Sequence, residues 1–181
     1  MSEIDQRIGA RIRALRGPAT LDALAAASGV SRAMLSRIEH GQSSATAQLL
    51  NRLAGGLGVT LSALVAEEGD AKLRRRAAQP VWQDPGSGYT RRAVSGPGGL
   101  AEIVEVTLPP GAAVAFDNAQ VAAVGQQLWV LTGGLHVTLG QASHRLAAGD
   151  CLAMRFGEPV RFHNPTRRTT RYAVFLERAR A

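Results

Sequence analysis

Apolar residues recur at helical spacing over the first 66 positions and at strand spacing beyond about residue 81. Ile8, Ile12 and Leu15 fall at i, i+4 and i+7, the stripe of an amphipathic helix that Gly17-Pro18 then stops. Leu21, Leu24 and Ala25 mark a second helix, and Met34, Leu35 and Ile38 a third. Leu49, Leu50 and Leu53 mark a fourth, and Leu61, Leu64 and Val65 a fifth. Thr20, Ser31, Thr46 and Thr60 each stand just before a stripe, where a hydroxyl can accept an otherwise unbonded backbone N–H. Gly29 separates the second and third helices with the backbone freedom of a tight turn, and Gly41 follows the third at a C′ position. The pattern predicts five short helices around one small core.

In the second segment the candidate strands are 89–94, 100–108, 112–116, 127–132, 135–139, 143–146, 151–155, 159–163 and 169–177. Gly96-Pro97-Gly98-Gly99, Pro109-Pro110-Gly111, Gly133-Gly134, Gly140 and Gly149-Asp150 supply the turns. No long helical pattern interrupts them, which predicts a sandwich or jelly-roll barrel. The expected fold class is therefore α+β in two domains. A five-helix bundle with a helix-turn-helix occupies 1–66, a polar linker 67–80, and an all-β barrel 81–181. Within the linker, Arg74-Arg75-Arg76 reads first as a solvated face and second as a phosphate contact.

Charge adds a modest pointer to a polyanionic partner. The 181 residues hold 21 basic and 14 acidic side chains, a net charge of +7. Lys72 is the one lysine, and the chain is rich in alanine and arginine throughout, so compositional bias accounts for much of the excess. A single cysteine, Cys151, permits no intrachain disulfide and no CxxC site. The N-terminal stretch is charged and amphipathic, unlike a signal peptide, and no apolar run approaches the roughly 18 residues that span a bilayer. A cytoplasmic protein is expected.

The third helix carries the candidate chemistry. With Leu35 and Ile38 turned inward, Arg32, Ala33, Ser36 and Arg37 face out. Two arginines among small residues suit the major groove of DNA. The segment from Ile8 to Val65 resembles the phage-repressor/Cro-like (XRE) helix-turn-helix family. The matching residues are Ile12-Arg13-x-x-Arg16, Thr20-Leu21-x-x-Leu24-Ala25, Ser28-Gly29-Val30-Ser31, Leu35-Ser36-x-Ile38-Glu39-x-Gly41 and Leu53-Ala54-x-x-Leu57-Gly58-Val59. The resemblance implies that Ser31 to His40 is a recognition helix whose Arg32, Ala33, Ser36 and Arg37 meet base edges or nearby phosphates. Arg13, Arg16 and Thr20 would lie nearer the DNA backbone and set register. Many relatives carry glutamine after the position of Thr20; here it is Leu21, which removes one polar brace. Glu39 reads as a surface or intrahelical partner, of Arg32 or Arg37, before it reads as a base contact. A module of this size covers a half-site, so a homodimer on a two-fold operator is the implied assembly.

Residues 127–164 resemble a cupin barrel through Leu128-Trp129-Val130-Leu131-x-Gly133, Leu146-x-x-Gly149-Asp150, Pro159 and Asn164. Metal-binding cupins carry HxH, then a glutamate, then a further histidine. Counting from Gly133 puts Gln126 at the glutamate position, residues 119–122 at the HxH and Val160 at the last histidine. The ligands of a 2-His-1-carboxylate site are thus missing, and neither a metal nor another cofactor is expected. Of His40, His136, His144 and His163, none forms an HxH or HxxxH pair. If Val160 points inward, alternation turns His163 outward. A non-metal pocket for a small effector remains open, with Gln126 inside, Arg155 near the rim and Trp129 and Cys151 nearby; a filled barrel that only dimerises the chain is the equal alternative.

The leading expectation is a dimeric DNA-binding transcriptional regulator with no enzymatic activity. The rivals are an iron-dependent cupin oxygenase or epoxidase, and an antitoxin-like DNA-binding partner of another protein.

Overall fold

A computed structural model describes residues 2–65, 73–96, 101–117, 124–155 and 157–178. The five expected helices form: α1 Glu3–Arg16, α2 Leu21–Ser28, α3 Arg32–Glu39, α4 Ala47–Gly56 and α5 Leu61–Val65. Each predicted cap is made. Thr20 Oγ1 accepts from the Ala23 N–H, Ser31 Oγ from Met34, Thr46 Oγ1 from Leu49 and Thr60 Oγ1 from Ala63, at 3.1 to 3.3 Å. Gly29 ends α2 in the left-handed region at φ 64°, so the chain reverses without β-carbon strain. Ile8, Ile12, Leu24, Leu35, Ile38, Leu50 and Leu53 are buried together, as the apolar stripes require. One close approach was not predicted. A β-carbon on Gly9 would stand 2.2 Å from the Ile38 carbonyl oxygen, so α1 crosses α3 only because this residue lacks a side chain.

The second half folds into two antiparallel sheets. The strands are β1 Val81–Gln83, β2 Thr90–Ala93, β3 Ala101–Leu108, β4 Ala113–Phe116 and β5 Val124–Thr132, then β6 Gly134–Leu139, β7 Ala142–Ala147, β8 Cys151–Arg155, β9 Val160–His163 and β10 Thr170–Arg178. Their orders are β1-β2-β3-β10-β5-β8 and β4-β9-β6-β7, the two layers of a jelly-roll barrel. All nine expected strands are present; β1, three residues long, was not expected. Val104, Val106, Leu128, Val130, Leu135, Val137, Phe162 and Val174 fill the space between the sheets. An edge-to-face run of Trp82, Tyr89, Phe116 and Phe162 ends on Tyr172, whose ring stacks on Phe162. Asn164 is fully buried and ties three segments: its Nδ2 donates to the Leu108, Pro109 and Arg168 carbonyls and its Oδ1 accepts from Thr166.

The two halves meet at a packed junction. α4 and α5 pack on the barrel through a continuous apolar core. Buried polar ties cross the junction. The Asp84 carboxylate accepts from the Ala47 N–H at 2.7 Å, placing a negative charge at the amino end of α4. Thr60 donates to Glu102 at 2.7 Å, and Asn51 Nδ2 to the Asp117 carbonyl at 3.0 Å. Arg76 lies in a short 3-10 turn, Arg76–Ala78, and pairs with Glu105 of β3 at 3.2 Å, so this end of the arginine run is held by the barrel.

Candidate DNA interface and barrel cavity

α3 is half buried by design of its sequence. Leu35, Ile38 and Glu39 face the bundle, while Arg32, Ala33 and Arg37 are exposed and Ser36 is half-buried beside them. Ser31, exposed at the start, spends its hydroxyl on capping. Arg32 lies 3.7 Å from Asp22 of α2, with both side chains about two-thirds exposed; such a contact contributes little. Arg37 makes no side-chain contact to another described group. The outer face of α3 is therefore exposed, with Arg32 held only by its contact to Asp22.

The flanking arginines do different work from one another. Glu39 is buried and pairs with α1, not with Arg32 or Arg37. Arg16 grips it with both ends of its guanidinium, Nε at 2.6 Å and Nη2 at 2.9 Å, and this bond holds the Arg16 pKa above its usual value. Arg13 donates to the Glu39 carbonyl at 2.9 Å and stays half exposed. Arg16 also donates to the Ala19 carbonyl. Its fork thus helps to position α3, while Arg13 keeps the greater exposure. Thr20 is exposed but caps α2. Arg52, which the sequence reading passed over, donates to the Ser28 and Gly29 carbonyls and so braces the turn between α2 and α3. Its signal was its spacing: on a helix stripe Leu50-x-x-Leu53, it sits off the core side.

The other concave feature lies inside the barrel, where α4 and α5 close one end. Tyr89, Arg91, Gln126, Tyr172, Asn51 and Thr60 are among its walls, and the cavity between them has a volume of about 30 Å³. Arg91 is 8% exposed. Its Nη1 donates to the Tyr89 hydroxyl at 2.8 Å and its Nη2 to Ser62 of α5 at 2.7 Å, while its Nε has no partner. Among the described residues no carboxylate pairs with it. Burial, the main influence, raises the pKa of both Tyr89 and Tyr172, against a smaller lowering by Arg91. Both phenols therefore stay protonated at neutral pH.

Two of the three expected pocket residues, Gln126 and Arg155, line one groove, and Trp129 does not join them. Gln126 points into the cavity and is buried, with no hydrogen bond to its amide among the described residues. Trp129, 46% exposed, faces outward opposite Cys151. Arg155 faces outward too, beside Glu177 and Phe175 in a groove at the end of β5 and β8. Strand alternation is the reason: Gln126, Leu128 and Val130 share the inner face, so Trp129 cannot. The same rule could have found Arg91, which lies on the inner face with Tyr89 and Ala93. His163 turns outward as expected, its ring centroid 6.0 Å from that of His136.

The cavity does not suit a divalent cation. Its inner positions offer Gln126, Val160 and Phe162, and a buried guanidinium would repel the metal. The expected HxH segment, 119–122, lies outside the described residues; among the described residues, no three His, Cys, Asp or Glu side chains gather at one point.

Comparison with known proteins decides the helical half. The helix-turn-helix (HTH_3) family model matches residues 12–64. Residues 12–64 are a helix-turn-helix domain. This helix-turn-helix domain, with its barrel, superposes as a whole on an HTH_3 family transcriptional regulator from Vibrio cholerae. That match covers 98% of both chains with a TM-score of 0.81 and 24% identity. Hydroxypropylphosphonic acid epoxidase from S. wedmorenis shares the same order of halves, with 16% identity over 97% of this chain and 99% of that one and a TM-score of 0.50. An iron(II) form of HppE covers 96% and 99% at 16% identity with a TM-score of 0.52. At these identities the likeness is one of fold, shared by a regulator and an enzyme alike. No curated protein matches the chain in sequence. No helix among the described residues is long and apolar enough to cross a membrane. The chain thus joins a helix-turn-helix domain to a jelly-roll barrel.

Proposed function

We propose that the protein is a cytoplasmic, homodimeric transcriptional regulator that binds a two-fold operator through α3, and whose barrel dimerises it and takes a small effector rather than catalysing a reaction. One observation carries the reading: in a helix-turn-helix domain, the outer face of α3 presents Arg32, Ala33, Ser36 and Arg37 while its inner face is fully engaged. Arg32 and Arg37 would read guanine or phosphate. Ser31, Thr20 and Arg13 would lie against the backbone, with Arg16 holding α3 in place from behind. Dimerisation follows from half-site geometry, and the exposed Trp129 on the outer face of the large sheet is an available anchor for it. The enzyme reading has only fold likeness behind it, and the cavity's cationic wall weighs against a metal centre.

The test is a salt titration of binding to the protein's own promoter fragment against random duplex. Arg37→Ala should cost about 1–3 kcal/mol of discrimination, and Arg32→Ala somewhat less where its Asp22 contact already holds it. Unchanged discrimination in both variants would show that α3 is not the reader.

A further inference from the structure

Resting on the sensor reading above, we infer that the cavity takes a small organic carboxylate, and that its occupant is felt by the helix-turn-helix domain through Arg91 and Ser62. The starting point is a charge without an answer. Arg91 is a permanent cation, nine-tenths buried between two sheets; among the described residues its two hydrogen bonds go to neutral hydroxyls and its Nε–H has no partner. An isolated buried charge is costly, and buried charges are ordinarily paired. Among the described residues no carboxylate pairs with Arg91: Asp84 accepts from Ala47 and Ser87, and Glu102 from Thr60. What the site lacks is an acceptor with two oxygens, and a carboxylate supplies both, one for Nε–H and one for a remaining Nη–H.

The surroundings fit that ligand. The Gln126 amide and the protonated Tyr172 and Tyr89 phenols can donate to carboxylate oxygens, and Phe116, Val160 and Phe162 face a short carbon chain. The cavity's walls come from both halves, since Asn51 belongs to α4 and Leu61 to α5. Arg91 itself reaches across to Ser62 of α5 at 2.7 Å. A carboxylate that redirects the guanidinium therefore changes a bond holding the DNA-binding half to the barrel. By linkage, any such ligand that shifts operator affinity has its own affinity shifted equally by operator.

The experiment uses the full-length protein. Thermal melting and calorimetry are run with propionate, pyruvate and benzoate at constant ionic strength, against propionamide and propylamine as matched neutral and cationic probes, and operator affinity is measured with each. We expect a carboxylate to raise the melting temperature and shift operator affinity several-fold, with neither matched probe doing so. Arg91→Met should weaken carboxylate binding by about tenfold or more. Gln126→Leu, which breaks no protein hydrogen bond, should weaken it less and serves if Arg91→Met does not fold. Ser62→Ala should keep the binding and lose the operator shift. Stabilisation by propionamide or propylamine instead would overturn the carboxylate inference and leave the sensor reading standing. No response to either class would overturn the carboxylate inference, and an operator affinity indifferent to every small molecule would remove the sensor reading too. An operator shift that survives Ser62→Ala would overturn the route through α5.

Discussion

Among the described residues, neither the Arg37 nor the Arg91 guanidinium has a carboxylate partner, and the two lie in opposite settings. Arg37 stands on the open face of α3, where water compensates its charge and leaving it unpaired costs nothing. Arg91 stands inside the barrel, where that compensation is missing and three of its five N–H groups have no partner. The contrast separates two kinds of binding surface. The helical half presents its chemistry outward on a scaffold held from behind by Arg16, Glu39 and Arg52. The barrel half turns its chemistry inward and needs the helical half to complete the wall. An outward face can be changed with little structural penalty, whereas an inward one cannot be changed without touching stability.

The strongest way to break this comparison is at Gly9. Gly9→Val would force a side chain onto the Ile38 carbonyl, a backbone atom that cannot swing away. α1 would part from α3, at a cost of about 3 kcal/mol by overpacking. We expect a lower melting temperature by circular dichroism together with lost operator binding, although Gly9 touches no DNA. Full operator affinity in a stable Gly9→Val protein would show that α3 is positioned without α1.

Glu39→Gln asks a subtler question of the same scaffold. It keeps the shape and removes the charge that Arg16 and Arg13 gather around, leaving the Arg16 fork with a neutral partner. A loss of about 2 kcal/mol in stability is expected, less than for a fully buried pair because Arg16 keeps some exposure. Operator affinity should fall while the slope of log affinity against log salt stays the same, because no phosphate contact is removed. A flatter slope would place Arg16 on the phosphates after all.

Asp84→Ala tests whether the halves are one cooperative unit. The change strands the Ala47 N–H at the amino end of α4 and loosens the turn that holds Ser87. About 1–2 kcal/mol is expected, the range for a lost helix-cap bond. Calorimetry should show one transition in the parent protein and a broadened or split one in the variant. Two resolved transitions in the parent would mean the junction is incidental and would weaken the coupling through Arg91.

How far each half could be read from sequence follows the same divide. The helix caps, the apolar stripes and the outward face of α3 depend on residues within four positions of one another, and all were legible. The nine strands were legible from turn residues and alternation; β1 was too short to show a period. What was not legible depends on distance along the chain. Nothing local to Asp84 indicates that it caps α4, 37 residues earlier. Glu39 reads locally as a partner of Arg32 or Arg37, but they lie seven and two positions away, off the i, i+4 spacing, and Arg16 of α1 supplies a better-placed fork. Arg155 does share a groove with Gln126 through the pairing of β5 and β8, whereas period 2 puts Trp129 on the face opposite Gln126.

The mildest effect expected is an acid-side loss of stability that separates surface pairing from buried packing. Arg76, by its hydrogen bonds, is the main reason the Glu105 carboxyl sits below its ordinary value of 4.5; partial burial opposes this and Arg171 adds to it. A carboxyl whose pKa is lower folded than unfolded stabilises the fold fully above the unfolded value, and that contribution fades as pH falls from about 4.5 through the folded value. The parent should therefore melt higher than Glu105→Gln at pH 7, and the difference should shrink as pH drops below about 4.5. The gap should also narrow in high salt, since Arg76 is well exposed. Cavity binding by a carboxylate would respond differently: it fails only when the ligand itself is protonated, so its pH midpoint should follow the pKa of the probe and not that of Glu105. A single midpoint shared by both would mean that the ligand acts on the surface pair and not on Arg91.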